Sequence, residues 1–180
     1  MRVLVALAIL CFITVQATPL VLARQRQAEI EATQATVDVV TQAVILTEQN
    51  EPGQAINFLQ RHLAINPGNN SLTMSYVDAL IQSRSYSTAA EVMERHSLGR
   101  PDDVHLWYKL AETQGQAGNI SKVHQARAEY FRLIADYPKA RQQLQLAIRI
   151  ESDNGSSPAE EARLKQKIQQ IDNLQQNASR

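Results

Sequence analysis

Cysteine is nearly absent from this chain: Cys11 stands alone, inside an N-terminal apolar run. One thiol excludes a disulfide framework and any cysteine-based zinc site. Net charge is absent as well, because 18 Lys and Arg balance 18 Asp and Glu. No broad basic surface or charged tail follows, so nucleic acid is not an expected partner. Aromatic residues make up only 5%, while Gln, Ala and Leu are plentiful. Ala and the straight-chain residues lose little entropy in a helix, so this balance favours helix over sheet.

Catalytic signatures are missing too. There is no G-x-G-x-x-G, Walker loop or G-x-S-x-G. The four histidines, His62, His96, His105 and His124, form no H-E-x-x-H or H-x-x-x-H. Asp102-Asp103 and Glu160-Glu161 fall in loops or at helix starts, where the helix dipole favours anions. No catalytic residue, metal or cofactor is expected, and the chain does not read as an enzyme.

What is present begins at the N-terminus. Met1-Arg2 precedes the apolar run Val3 to Val15, broken only by Thr14. A positive residue, a short apolar stretch and small residues form a secretory signal pattern. Small-x-Ala cleavage fits after Ala17 or after Ala23, so residues 1–23 are expected to be an export signal. An uncleaved anchor is the alternative, since Val3 to Leu22 approaches bilayer-spanning length. Either reading places the remainder outside a bacterial cytoplasm, in the periplasm. Contact with a membrane would then run only through this segment, if uncleaved.

The body of the chain repeats. Ala55 and Ala89, Leu59 and Met93, His62 and His96, and Pro67 and Pro101 are each 34 residues apart. A 34-residue period is the length of the tetratricopeptide unit, a pair of antiparallel helices. Units starting at Thr36, Asn70 and Val104 place Ala55 and Ala89 at position 20, where only a small side chain fits between crossing helices. Pro67 and Pro101 then stand at position 32, where the second helix must stop. Trp107, Leu110 and Ala111 fill positions 4, 7 and 8 of the third unit, and Gly118 takes its turn. That unit departs from the pattern at Val123, Arg127 and Ala135. Ala140, Leu144 and Ala147 restore the spacing in a unit restarted at Ser121, so the helix near 121–136 serves two pairs.

The expected layout is a polar lead-in at 24–35 and repeats over 36–156, as units 36–69, 70–103, 104–137 and an overlapping 121–154. A capping helix and tail occupy 157–180. Helices are expected near 26–48, 52–65, 71–83, 87–97, 104–116, 120–136, 138–150 and 158–175. The last has Ser157 as N-cap, Pro158 at the first helical position and Glu160 as a capping-box partner. Leu164, Ile168, Ile171 and Leu174 would line its inner face. The fold class is all-α, a right-handed superhelix of antiparallel helix pairs closed by this cap.

In such arrays the concave face comes from positions 2, 5, 9 and 12 of the first helices. At the N-terminal end these are Val37, Val40, Val44 and Thr47, which serve either as groove or as packing. Further along, Asp78, His105, Tyr108, Glu112, Gln125, Glu129 and Arg132 are expected to form one continuous protein-binding patch. Positions 5 and 9 hold Val40, Met74 and Tyr108, and Val44, Asp78 and Glu112. They lack the basic and Asn residues with which related chaperone-tail binders clamp a carboxylate.

Leu106-Trp107-Tyr108-Lys109-Leu110-Ala111-Glu112, Gln116-Ala117-Gly118-Asn119, the run His124 to Phe131 and the run Ala140 to Ala147 carry a closer resemblance. Residues 37–175 are similar to the C-terminal tetratricopeptide domain of periplasmic β-barrel assembly-enhancing zinc metallopeptidases. The peptidase half of that family, with its H-E-x-x-H, has no counterpart in this sequence. The resemblance implies a non-catalytic interaction module of the bacterial envelope, binding a protein or peptide in outer-membrane protein assembly or quality control. The alternative it leaves open is a detached part of such a peptidase, acting beside a separate catalytic chain.

The missing ligand set generates a test. The purified chain is expected to hold no stoichiometric zinc by elemental analysis and to leave casein intact, with or without a chelator.

Overall fold

A computed structural model describes residues 19–155 and 157–178. Among these residues there are eight α-helices and no strand. In chain order they are α1 (Pro19–Glu48), α2 (Pro52–Ile65), α3 (Asn70–Gln82), α4 (Tyr86–Leu98), α5 (Val104–Gln116), α6 (Ile120–Leu133), α7 (Tyr137–Asp153) and α8 (Pro158–Ala178). Each packs mainly on its sequence neighbours, and α1 also packs on α3. The expected export segment lies outside the described residues up to 18, and its end opens α1. The stretch expected as a polar lead-in, 24–35, is helical and exposed along its length.

The local causes repeat from pair to pair. Asn69, Asp103 and Asp136 each accept a hydrogen bond from the backbone N–H three residues on, capping α3, α5 and α7. These side chains satisfy donors the helix cannot. The exits also repeat. Asn50, Arg84, Gly118 and Ala135 all adopt left-handed backbone, with φ of 62°, 60°, 78° and 59°. Each is position 15 of its unit, counted from 36, 70, 104 and 121. The following N–H bonds back across the turn in every case: Glu51 to Leu46, Ser85 to Leu80, Asn119 to Gln114 and Asp136 to Phe131, at 2.8–2.9 Å. This is the Schellman closure, which prefers glycine. Only Gly118 advertises it, and the other three units impose it on residues with a Cβ.

Small residues sit at the crossings. Ala55, Ala89 and Ala140 are fully buried, as are Leu59, Met93 and Leu144 a helical turn further on. Ala43, Ala55 and Leu59 share one cluster with Leu72 and Ala79. Val77, Ala89 and Met93 share the next with Leu106, Leu110 and Ala126. Ala128, Ala140, Leu144 and Ala147 form the third with Leu164 and Ile171 of α8. Helix α6 therefore divides its core residues: Ala126 packs back toward α3–α5, and Ala128 packs forward onto α7 and α8.

Two local expectations change. The Ser157 hydroxyl accepts from the Glu160 N–H at 3.4 Å, but the Glu160 carboxylate turns to Arg163 and Gln125 instead of closing the box. A guanidinium offers a charge-assisted bond that a lone backbone N–H does not. Leu174 remains 40% exposed, one turn beyond the last residue that α7 covers. Histidines serve packing and bonding: His62 meets the Phe58 ring edge-on at 4.7 Å, and His96 Nε2 lies 2.9 Å from Asn70 Oδ1.

With Ala89 at 0% exposure between α3 and α4, Ala89→Leu is expected to overpack the crossing. The cost should be about 1–3 kcal/mol, read as a lowered urea midpoint, whereas an unchanged midpoint would mean the crossing lies elsewhere.

Candidate functional site

The largest exposed aromatic residue of the repeats is Tyr108 on α5, at 54% exposure. Asp103 caps α5 and fixes its start, so Tyr108 and Glu112, four apart, share one face. Across from them α6 presents Tyr130, whose ring centroid is 5.8 Å from that of Tyr108 at a 59° tilt. Phe131 meets Tyr130 edge-on at 5.3 Å and carries Lys139 Nζ 5.4 Å from its centroid. These tilted and edge-on arrangements suit ring quadrupoles. Together with Ala111, Arg127 and Gln143 the three rings and Glu112 line a cavity of about 250 Å³ between α5, α6 and α7. Gln143 is steadied from α6, its Oε1 being 2.8 Å from His124 Nδ1. A hydrogen bond to the Glu112 carboxylate, and then its charge, raises the Tyr108 pKa. The hydroxyl therefore stays a donor.

The expected continuous patch is divided. Tyr108 and Glu112 line this cavity, and His105 is exposed near the start of the same helix. Asp78 reaches from α3 to an ion pair with Lys109 on α5. Gln125, Glu129 and Arg132 turn the other way. Gln125 accepts from Arg163 at 2.7 Å, Glu129 accepts from Lys167 at 2.6 Å, and Arg132 donates to Glu129 at 2.8 Å. Arg132 also reaches the Pro101 carbonyl at 3.4 Å. With about 100° between successive helical residues, 125, 129 and 132 lie on the side of α6 away from 127, 130 and 131. Because α6 belongs to two registers, its first-helix positions face α8, while those of α5 face α7. Sequence reasoning missed Arg127, Tyr130 and Gln143. The signal was the i, i+3 spacing of Arg127 and Tyr130, readable only once α6 is known to face α5 with that side.

The second face is a groove of about 580 Å³ between α4, α6 and α8. Its charges close on each other: Lys122 on Glu94 at 2.9 Å, Lys167 on Glu129, and Arg163 on Glu160 at 2.5 Å. Burial pushes the Glu129 carboxyl up, but Lys167 and Arg132 outweigh it and its pKa falls below the ordinary value. Among the described residues no group of His, Cys, Asp and Glu could hold a metal ion. No described helix is long and apolar enough to cross a membrane.

Helix pairs stacked through small crossing residues, with an open aromatic cavity on one face, define a helical-repeat interaction domain. Residues 46–113 match the tetratricopeptide repeat family model. The putative β-barrel assembly-enhancing protease of Vibrio cholerae is 29% identical over 69 residues, 38% of this chain. The chain thereby spans 14% of the length of that curated relative. The TPR domain of Sgt2 from Aspergillus fumigatus aligns at 21% identity over 81% of this chain and 82% of that one, with a TM-score of 0.38.

The lowered Glu129 pKa sets an expectation for acid. Its contribution is present above the unfolded carboxylate value, about 4.3, and is lost as pH falls through the still lower folded value. Glu129→Gln should cost about 1–2 kcal/mol at neutral pH. The gap between wild type and variant should shrink as the pH falls below the ordinary carboxylate range, measured by urea unfolding at each pH.

Proposed function

We propose that this chain is a peptide-recognition module of the bacterial cell envelope whose binding site is the cavity between α5, α6 and α7. The observation that carries the reading is the Tyr108–Tyr130 pair, in which exposed Tyr108 of α5 meets half-buried Tyr130 of α6 at the mouth of the cavity. Tyrosine brings contact area with few rotors and a polar tip, which is why it recurs among residues that dominate binding. The site does no chemistry in this reading, and no cofactor is invoked. Export to the periplasm is supported by Met1-Arg2 and the apolar run from Val3 to Val15. A role in outer-membrane protein assembly or quality control is supported by the partial likeness to the Vibrio cholerae protein, named as β-barrel assembly-enhancing.

The second reading is a detached non-catalytic part of such a protease, acting with a separate catalytic chain. It is favoured by the short share of that relative which the match covers. The two readings differ in the partner: an assembly component or client in the first, a metallopeptidase chain in the second.

The test is a photo-crosslinking amino acid at position 130, next to Tyr108, followed by mass spectrometry of the envelope fraction. For the partner so identified, Tyr108→Ala should weaken binding by more than about 2 kcal/mol, roughly thirtyfold. The melting temperature should hold, because the side chain is largely exposed. Undiminished affinity of Tyr108→Ala, or a chain found only in the cytoplasm, would refute the respective half of the proposal.

A further inference from the structure

We infer that the cavity takes a peptide segment carrying one basic and one acidic side chain on either side of an apolar or aromatic residue. The inference rests on the cavity being the peptide site and concerns what that site selects.

Glu112 and Arg127 both line the cavity, one from α5 and one from α6. Neither makes an ion pair with the other or with any described residue; Glu112 bonds only the neutral Tyr108 hydroxyl, and Arg127 acts on that hydroxyl only through its field. Neighbouring charges behave differently. Asp78 closes on Lys109, Glu94 on Lys122, and Glu129 on Lys167 and Arg132. The groove on the far side of α6 is thus neutralised from within, whereas this cavity keeps a carboxylate and a guanidinium on its wall with no ion pair to neutralise either. A ligand of one sign meets one repulsion for each attraction. A ligand with both signs, suitably turned, meets two attractions.

The remaining walls say what lies between the charges. Phe131 already carries Lys139, so Tyr108 and Tyr130 present the open aromatic surface for one apolar or aromatic side chain. Gln143 has its carbonyl engaged by His124, which leaves its NH₂ to donate to a peptide carbonyl. A volume of about 250 Å³ suits two or three side chains. In an extended segment alternate side chains share a face about 7 Å apart, which lets flanking charges reach both walls.

The test uses the ¹⁵N-labelled full chain and acetylated, amidated heptapeptides, so that terminal charges are absent. All carry a central leucine, flanked by Lys and Asp in either order, by two Lys, by two Asp or by two Ser. One of the two mixed peptides should bind at least fivefold tighter than the other three compositions, with shifts centred on Tyr108 and Tyr130. Glu112→Gln and Arg127→Gln should each lower its affinity about three- to fivefold, the scale of an exposed ion pair. Equal binding of the two-Lys or two-Asp peptide would overturn the inference. Equal binding of the Ser-flanked peptide, with the tyrosine shifts intact, would overturn it while sparing the peptide site. If no peptide moves Tyr108 or Tyr130, the peptide site falls with it.

Discussion

The close crossing of helices within each pair is the constraint on which everything else depends. It favours a small residue at one point of the second helix, and Ala55, Ala89 and Ala140 occupy that point with no exposure at all, while in the α5–α6 pair Val123 stands there opposite Gly115. The approach brings the larger neighbours Leu59, Met93 and Leu144 into full burial and removes their apolar surface from water. It also forces the chain to reverse sharply between helices. The left-handed residues at Asn50, Arg84, Gly118 and Ala135 are the answer to that demand. Arg84 and Ala135 are neither glycine nor asparagine, so packing energy sustains there a local conformation that their Cβ atoms disfavour by roughly 1–2 kcal/mol each. Local strain is tolerated because tertiary contacts determine the geometry.

Helix α6 shows what happens when the pattern shifts by half a unit. Its Ala126 completes the core made by α3, α4 and α5, and its Ala128 begins the core made with α7 and α8. A helix that serves as second member of one pair and first of the next cannot present its groove positions to the same side as its predecessors. The consequence is two faces of different character. Between α4, α6 and α8 the charges satisfy one another, through Lys122–Glu94, Arg163–Glu160 and Glu129 with Lys167 and Arg132. Between α5, α6 and α7 the wall is aromatic, and its two charges remain open. Such a division lets one face hold the solenoid together while the other is available to a partner.

The repeats were legible because their markers are covalent facts at fixed spacing. Pro67 and Pro101 stop helices wherever they occur, and Ala55 and Ala89 mark a steric requirement that no other side chain meets as well. The restart at Ser121 was legible for the same reason, through Ala140, Leu144 and Ala147. The binding patch was less legible. Tyr108 and Glu112 were expected together from their places in the unit and line one cavity, but Gln125, Glu129 and Arg132 were grouped with them as though every first helix faced one way. The turns hid for a different reason: an arginine or alanine in left-handed backbone leaves no trace in the sequence, since its propensity argues against the conformation it adopts.

By itself, the sequence determined the all-α repeat, the pairing of helices and the identity of the crossing residues. These follow from steric rules that act between near neighbours in the chain. Only the tertiary structure decided which side of α6 faces which helix. It alone brought Arg127, Tyr130 and Gln143 to Tyr108 and paired Glu129 with Lys167. Those outcomes depend on the rotation of one helix about its axis against three others. That rotation is set by the summed packing of all of them, and no local spacing encodes it.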